Sequence, residues 1–318
     1  MNTTLSRIRR GVRIAALALA IGAAGYAAVD AHAAEAPAPA HAATAGHGIA
    51  VQVVGSGTPV LFIPGLNSGA DTWRDTCAAL QASHVQCHLV QLPGFAGQPA
   101  VASKAYLDEM SRGLLDYIRD RHLAHPVVVG HSLGGIVALK MAIAQPKAIG
   151  KLAIIDALPF LPAVQNPAAT GAGMQPVAAG VREQLLKADD AAYRAQAEAA
   201  ARGMVHDAAR VAEVARWSAA SDRATTAQAM YEMMTTDLRP ALGAIRAPTL
   251  VLGSWAGYAP YGATKASTTQ VFQGQYAKLA GVHIALSEAG YHFLMWDDAK
   301  WLQSQLRGFI VDGAAAAH

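Results

Sequence analysis

A chain of 318 residues that is 53% apolar and 15% charged can bury one sizeable core, or one domain with an insertion. Its formal charge of +3 resides in residues 1–33, where four arginines outweigh Asp30, so the remaining 285 residues are neutral. Nothing basic is left to argue for a nucleic acid or an anionic membrane surface as partner.

Residues 1–33 read as an export signal. Arg7, Arg9, Arg10 and Arg13 precede the apolar run 14–28, and Ala31-His32-Ala33 offers a small-x-small cleavage site. That run is short for a bilayer crossing, so no stable membrane anchor is expected and the product should be periplasmic or secreted. In such an oxidising compartment Cys77 and Cys87 are either a disulfide or two buried thiols, and neither has the spacing of a metal site. Residues 34–48 are rich in Ala, Pro and His without apolar periodicity, and are expected to form a disordered leader.

The folded part should open with an edge strand over 49–54, a Gly55-Ser56-Gly57 turn and a buried parallel strand over 59–63. After the glycine-containing turn 64–69 come a helix over 71–82, a strand over 88–92 and a Pro-Gly loop at 93–97. The spacing of Tyr106, Met110, Leu114, Tyr117 and Ile118 predicts a long amphipathic helix over 103–122, capped by Ser103.

The apolar run 126–129 then leads into Gly130-His131-Ser132-Leu133-Gly134-Gly135 and a helix-like run 136–145. A strand that stops at a serine between glycines and turns at once into a helix is a nucleophile elbow, which leaves no room for flanking side chains. Ser132 Oγ should stand out at the carboxyl edge of a sheet, with the first N–H groups of the helix aimed at the same place. The N–H of Leu133 is therefore one candidate oxyanion donor. The N–H of Leu66, in the turn Pro64-Gly65-Leu66, is the other, against the plainer reading of that segment as a strand-to-helix turn.

A strand over 151–155 ends at Asp156. Three prolines interrupt 158–167, and 177–236 carries helical patterns with no strand signal, so 157–236 reads as a helical cap inserted between the core segments 49–156 and 237–313. Its Met204, Met230, Met233 and Met234 either pack in the ordinary way or line an adaptable pocket. A strand over 248–252, a helix over 270–279, a strand over 283–286 and a closing helix over 297–311 complete the pattern.

With the elbow, the Pro-Gly-Leu turn, the insertion and Ala289-Gly290-Tyr291-His292-Phe293 in this order, the chain resembles the α/β-hydrolase superfamily, most of all its capped esterase-type and haloalkane-dehalogenase-type branches. The resemblance implies an α/β fold, a mostly parallel eight-stranded sheet flanked by helices, with the elbow after the fifth strand and a catalytic histidine after the last. It implies also that base and acid follow the serine. Of the four histidines after Asp156, only His292 lies in a loop just past a strand, which makes it the expected base. Many family members carry the acid after the seventh strand, yet 253–287 contains neither Asp nor Glu. Asp156 matches the alternative position used by some dehalogenase-type members and is the expected acid.

These residues predict an exported, metal-independent serine hydrolase that cleaves a small-molecule carboxylic ester through an acyl-enzyme, with no cofactor. Trp255, Tyr258 and Tyr261 are expected either to wall its pocket or to pack against the cap. Lactone or carbon-carbon bond hydrolysis would use the same triad, and a ligand-binding protein on this fold would retain it. Nothing in the sequence sets the oligomeric state.

Overall fold

Along each central strand, alternate side chains point to opposite faces, and here both sets are buried. Val60 and Phe62 belong to one apolar cluster and Leu61 and Ile63 to the other; Val127 and Val129 likewise oppose Val128. Burial on both faces is what makes these strands read as unbroken apolar runs.

The computed structural model describes residues 42–312. Strands β1 (Ala42–Thr44), β2 (Ala50–Val54), β3 (Thr58–Ile63), β4 (Val85–Gln91), β5 (Val127–His131), β6 (Lys151–Ile155), β7 (Thr249–Gly253) and β8 (His283–Leu286) form one sheet in the order β1-β2-β4-β3-β5-β6-β7-β8. The β1–β2 and β2–β4 pairings are antiparallel and all others are parallel. Seven of these strands correspond to runs read from the sequence. The eighth, β1, lies within 34–48, where a disordered leader was expected. Its three residues pair with Ala50–Gln52 through the backbone, after a turn at Gly46–Gly48, and a ladder of that kind needs no apolar pattern. The proposed signal 1–33, the rest of the leader and the tail beyond 312 lie outside the described residues. Among the described residues no helix is long and apolar enough to cross a membrane.

Among the described residues there are ten α-helices: α1 (Arg74–Leu80), α2 (Tyr106–Asp120), α3 (Leu133–Ala144), α4 (Gly171–Lys187), α5 (Asp190–Met204), α6 (Ala208–Ala220), α7 (Arg223–Thr235), α8 (Lys265–Gln275), α9 (Leu294–Asp297) and α10 (Ala299–Arg307). Apolar residues of α2, α3 and α8 cover one face of the sheet, and those of α1 and α10 cover the other. On the second face the Sγ atoms of Cys77, in α1, and Cys87, in β4, are joined as a disulfide.

Helices α4 to α7 all fall between β6 and β7. Each starts at a side chain that accepts a backbone N–H three residues on: Thr170, Asp189, Asp207 and Asp222. The insert closes on itself at its base, where the Leu238 N–H donates to the Pro159 carbonyl at 3.1 Å.

Helix α2 starts three residues later than expected. Ser103 Oγ accepts only the Ala105 N–H, and the capping group is Glu232, buried on α7, whose two oxygens accept the N–H groups of Tyr106 and Leu107 at 2.7 and 2.8 Å. A carboxylate suits the positive end of a helix. Replacing it strands two buried donors, so Glu232→Ala is expected to lower unfolding free energy by about 2–4 kcal/mol, and Glu232→Gln by roughly 1 kcal/mol, in a denaturant titration. Equal midpoints for wild type and Glu232→Ala would refute this cap.

His88, on β4, is also buried, with Nδ1 2.8 Å from Tyr117 Oη and Nε2 3.1 Å from Gln86 Oε1. A neutral ring satisfies both, the phenol donating to Nδ1 and Nε2–H donating to the amide oxygen. Burial, and secondarily the charge of Arg121, lower its pKa from 6.5 to about 4. The folded state then binds fewer protons than the unfolded chain between those values, so stability is lost as pH falls through that window. His88→Gln is expected to flatten the slope of stability against pH there, read from urea midpoints at pH 4, 5 and 6.5.

Candidate active site

Parallel neighbours in the sheet deliver their next residues to one edge. His131 stands opposite Ile155, Ile155 opposite Leu252, and Gly253 opposite Leu286. Ser132, Asp156, Ser254 and Ser287 therefore follow side by side at the carboxyl ends of β5, β6, β7 and β8, where open α/β sheets place their ligands.

Ser132 links β5 to α3 with φ 52° and ψ −120°, a conformation that a non-glycine residue adopts only under constraint. The constraint is visible. Its N–H donates to the Ile155 carbonyl at 3.0 Å, and its carbonyl accepts the N–H groups of Gly135 and Ile136. A Cβ on Gly130 would come within 2.3 Å of the Gly134 carbonyl, and one on Gly134 within 2.4 Å of the Ile63 carbonyl, so both flanking positions need glycine. Leu133 opens α3, and its N–H has no intrahelical acceptor. Across the edge, Gly65 is packed so closely that a Cβ there would lie 3.1 Å from Ser132 Cβ, which brings the Leu66 turn to the serine.

His292 follows β8. Its Nδ1 lies 2.7 Å from Asp156 Oδ2, and the side chains are 16% and 6% exposed respectively, so the carboxylate is the more deeply buried of the two. A carboxylate only accepts, so Nδ1 donates the hydrogen of this bond, and in the neutral ring the lone pair is on Nε2. Asp156 has a left-handed backbone, φ 44°, and its carboxylate is filled by Ser254: the Ser254 N–H donates to Oδ1 at 2.7 Å and its hydroxyl to Oδ2 at 2.9 Å. Ser254 stands at the end of β7, the place vacated by the acid in this sequence. No sequence motif marks Ser254, although its position one strand from Asp156 is the signal that points to it.

His131 is the residue of the elbow motif just before Ser132. Its ring is fully buried, 4.6 Å from the His292 ring by centroids, and its Nε2–H donates to the His292 carbonyl at 3.0 Å. Burial, then the nearby His292, holds its pKa well below the usual value, so the ring is neutral. It ties the residue before Ser132 to the loop that carries His292.

The three aromatic residues after β7 part company. Trp255 is half-buried against the α2/α3 side of the core. Tyr258 is held against ionisation by burial and then by the charge of Asp156. Between them Gly257 packs so that a Cβ would meet the Tyr291 ring at 3.1 Å and the Gly203 carbonyl of α5 at 3.3 Å. Tyr261 is 75% exposed, between Pro260 and Gly262, the latter at φ 89°. Among the described residues no three His, Cys, Asp or Glu side chains gather as metal ligands.

A family model described as the alpha/beta hydrolase family matches residues 60–302, from β3 to α10. The chain is an alpha/beta hydrolase. This hydrolase is 32% identical over 108 residues, 34% of its length, to a pimeloyl-acyl-carrier-protein methyl ester esterase of Vibrio cholerae, of which the match covers 40%. It spans half or less of the length of the curated relatives it matches first. In structure it superposes on an esterase from Exiguobacterium antarcticum with a TM-score of 0.68 at 17% identity, over 85% of this chain and 98% of the other. An enol-lactonase from Burkholderia xenovorans gives 0.67 at 16% identity, over 85% and 99%. At such identities the two structures bear on the fold alone.

Proposed function

We propose that this alpha/beta hydrolase is an exported serine esterase that cleaves small carboxylic esters through an acyl-enzyme. The observation that carries the reading is the His292–Asp156 bond of 2.7 Å, which selects the tautomer of the neutral ring whose lone pair is on Nε2, at the edge where the elbow holds Ser132. Ser132 Oγ attacks the ester carbonyl as His292 Nε2 takes its proton, and Asp156 stabilises the imidazolium. The carbonyl oxygen becomes an oxyanion facing the N–H groups of Leu66 and Leu133. The intermediate collapses, the alcohol leaves with the proton from Nε2, and water repeats the sequence to release the acid. A lactone would be opened by the same steps. Export is supported by the basic and apolar pattern of 1–33 and by a disulfide that an oxidising compartment would maintain.

A fluorophosphonate reports on this machinery directly. It is expected to add one label, on the peptide containing Ser132, with loss of labelling in His292→Ala. Folded wild type that takes up no label and turns over neither a chromogenic ester series nor a lactone would establish a binding protein instead.

A further inference from the structure

The Leu66 donor sits in a turn that packs on the elbow through Gly65 and meets the insert through Asn67. The turn Gly65–Ser68 is closed by the Ser68 N–H to the Gly65 carbonyl at 3.2 Å, and its third residue, Asn67, has φ 57°. The amide of Asn67 meets the buried hydroxyl of Thr226 on α7: Thr226 Oγ1 lies 2.7 Å from Asn67 Oδ1 and 2.9 Å from the Asp222 carbonyl. A hydroxyl has one hydrogen and serves one of these oxygens at a time. Turning the Asn67 amide over exchanges Oδ1 for Nδ2 in place, and then both contacts are bonds.

Thr226 is itself fixed. The Asp222 N–H donates to the Gly94 carbonyl at 2.7 Å, the Gly97 N–H to the Ala220 carbonyl at 3.2 Å, and the Ala96 N–H to Ser221 Oγ at 2.9 Å. A Cβ on Gly94 would strike Thr225 at 2.7 Å, so the start of α7 lies flat against the loop after β4. The segment 220–226 is thus sewn to the core, with one hydroxyl reaching across to the residue next to Leu66.

We propose that Thr226 is a positioning residue: through Asn67 it fixes the Leu66 peptide, and so aims an oxyanion donor from the cap. The inference rests on the esterase reading, and it assigns the insert a part in the rate.

The test is Thr226→Val, with kcat expressed per site titrated by fluorophosphonate, so that misfolded protein does not count. Misaiming one donor should lower kcat about 10–100-fold with KM changed less than about threefold. Thr226→Ser should recover kcat to within about threefold. Thr235→Val is the control, because Thr235 makes the same bond to the carbonyl four residues back, on the same helix, and is expected to leave kcat unchanged. Asn67→Gly keeps the positive φ without the amide and should match Thr226→Val; it decides the matter if the valine variant does not fold. Unchanged kcat in Thr226→Val or Asn67→Gly beside an active wild type overturns the positioning role and leaves the esterase reading standing. A wild type that neither labels nor turns over ester removes both.

Discussion

Ser132→Ala is expected to lower kcat for ester hydrolysis by about 10⁴–10⁶-fold without costing stability, the residual rate coming from binding and the oxyanion donors. The second half of that expectation follows from the elbow. Ser132 occupies the N-cap position of α3, yet its side chain makes no capping bond, so alanine forfeits none. The backbone bonds that hold φ at 52° come from the peptide groups of Ile155, Gly135 and Ile136 and are indifferent to the side chain. Steady-state kinetics beside a thermal melt would separate the effects. Full activity in the folded variant would sink the mechanism, and a large drop in melting temperature would sink the account of the elbow.

Asp156→Asn should cost about 10⁴-fold in kcat at unchanged geometry, through the tautomer of His292. Both carboxylate oxygens receive donors: Oδ1 the Ser254 N–H, Oδ2 the Ser254 hydroxyl and His292 Nδ1. An asparagine must put its NH₂ on one side. Facing the fixed Ser254 N–H it would set two donors against each other in a buried site, at about 1–3 kcal/mol. Facing His292 it finds relief, because the Ser254 hydroxyl can rotate to accept and the ring can move its proton to Nε2. That choice protonates the nitrogen that must act as base. Activity within tenfold of wild type across an ester chain-length series would mean another acid orients the ring.

The elbow was legible in the sequence because strand, turn and helix are consecutive there, and sterics alone select the glycines. The placement of His292 just beyond a strand and of Asp156 at the end of β6 was legible too, and the emptiness of 253–287 together with family resemblance is what makes Asp156 the proposed acid. What escaped notice depends on distant pairing. Ser254 acquires meaning only once β7 is known to lie beside β6. The start of α2 was misplaced because its cap comes from Glu232, 126 residues away, while Ser103 offered a local and misleading candidate. Strand β1 is three residues held by backbone bonds, without side-chain periodicity to betray it. For Trp255 and Tyr261 the sequence shows two aromatic residues in one loop, and only the folded chain separates the half-buried ring from the exposed one.

The closed neck at Pro159 and Leu238 makes the insert a replaceable part. Because the chain departs from and re-enters the sheet at almost one point, splicing a segment of another length between those residues would leave the β6–β7 register untouched. A chimera built that way would not be neutral for the host. It would arrive without Glu232 for the first turn of α2 and without Thr226 for Asn67, so any donor segment would have to bring its own anchors for both.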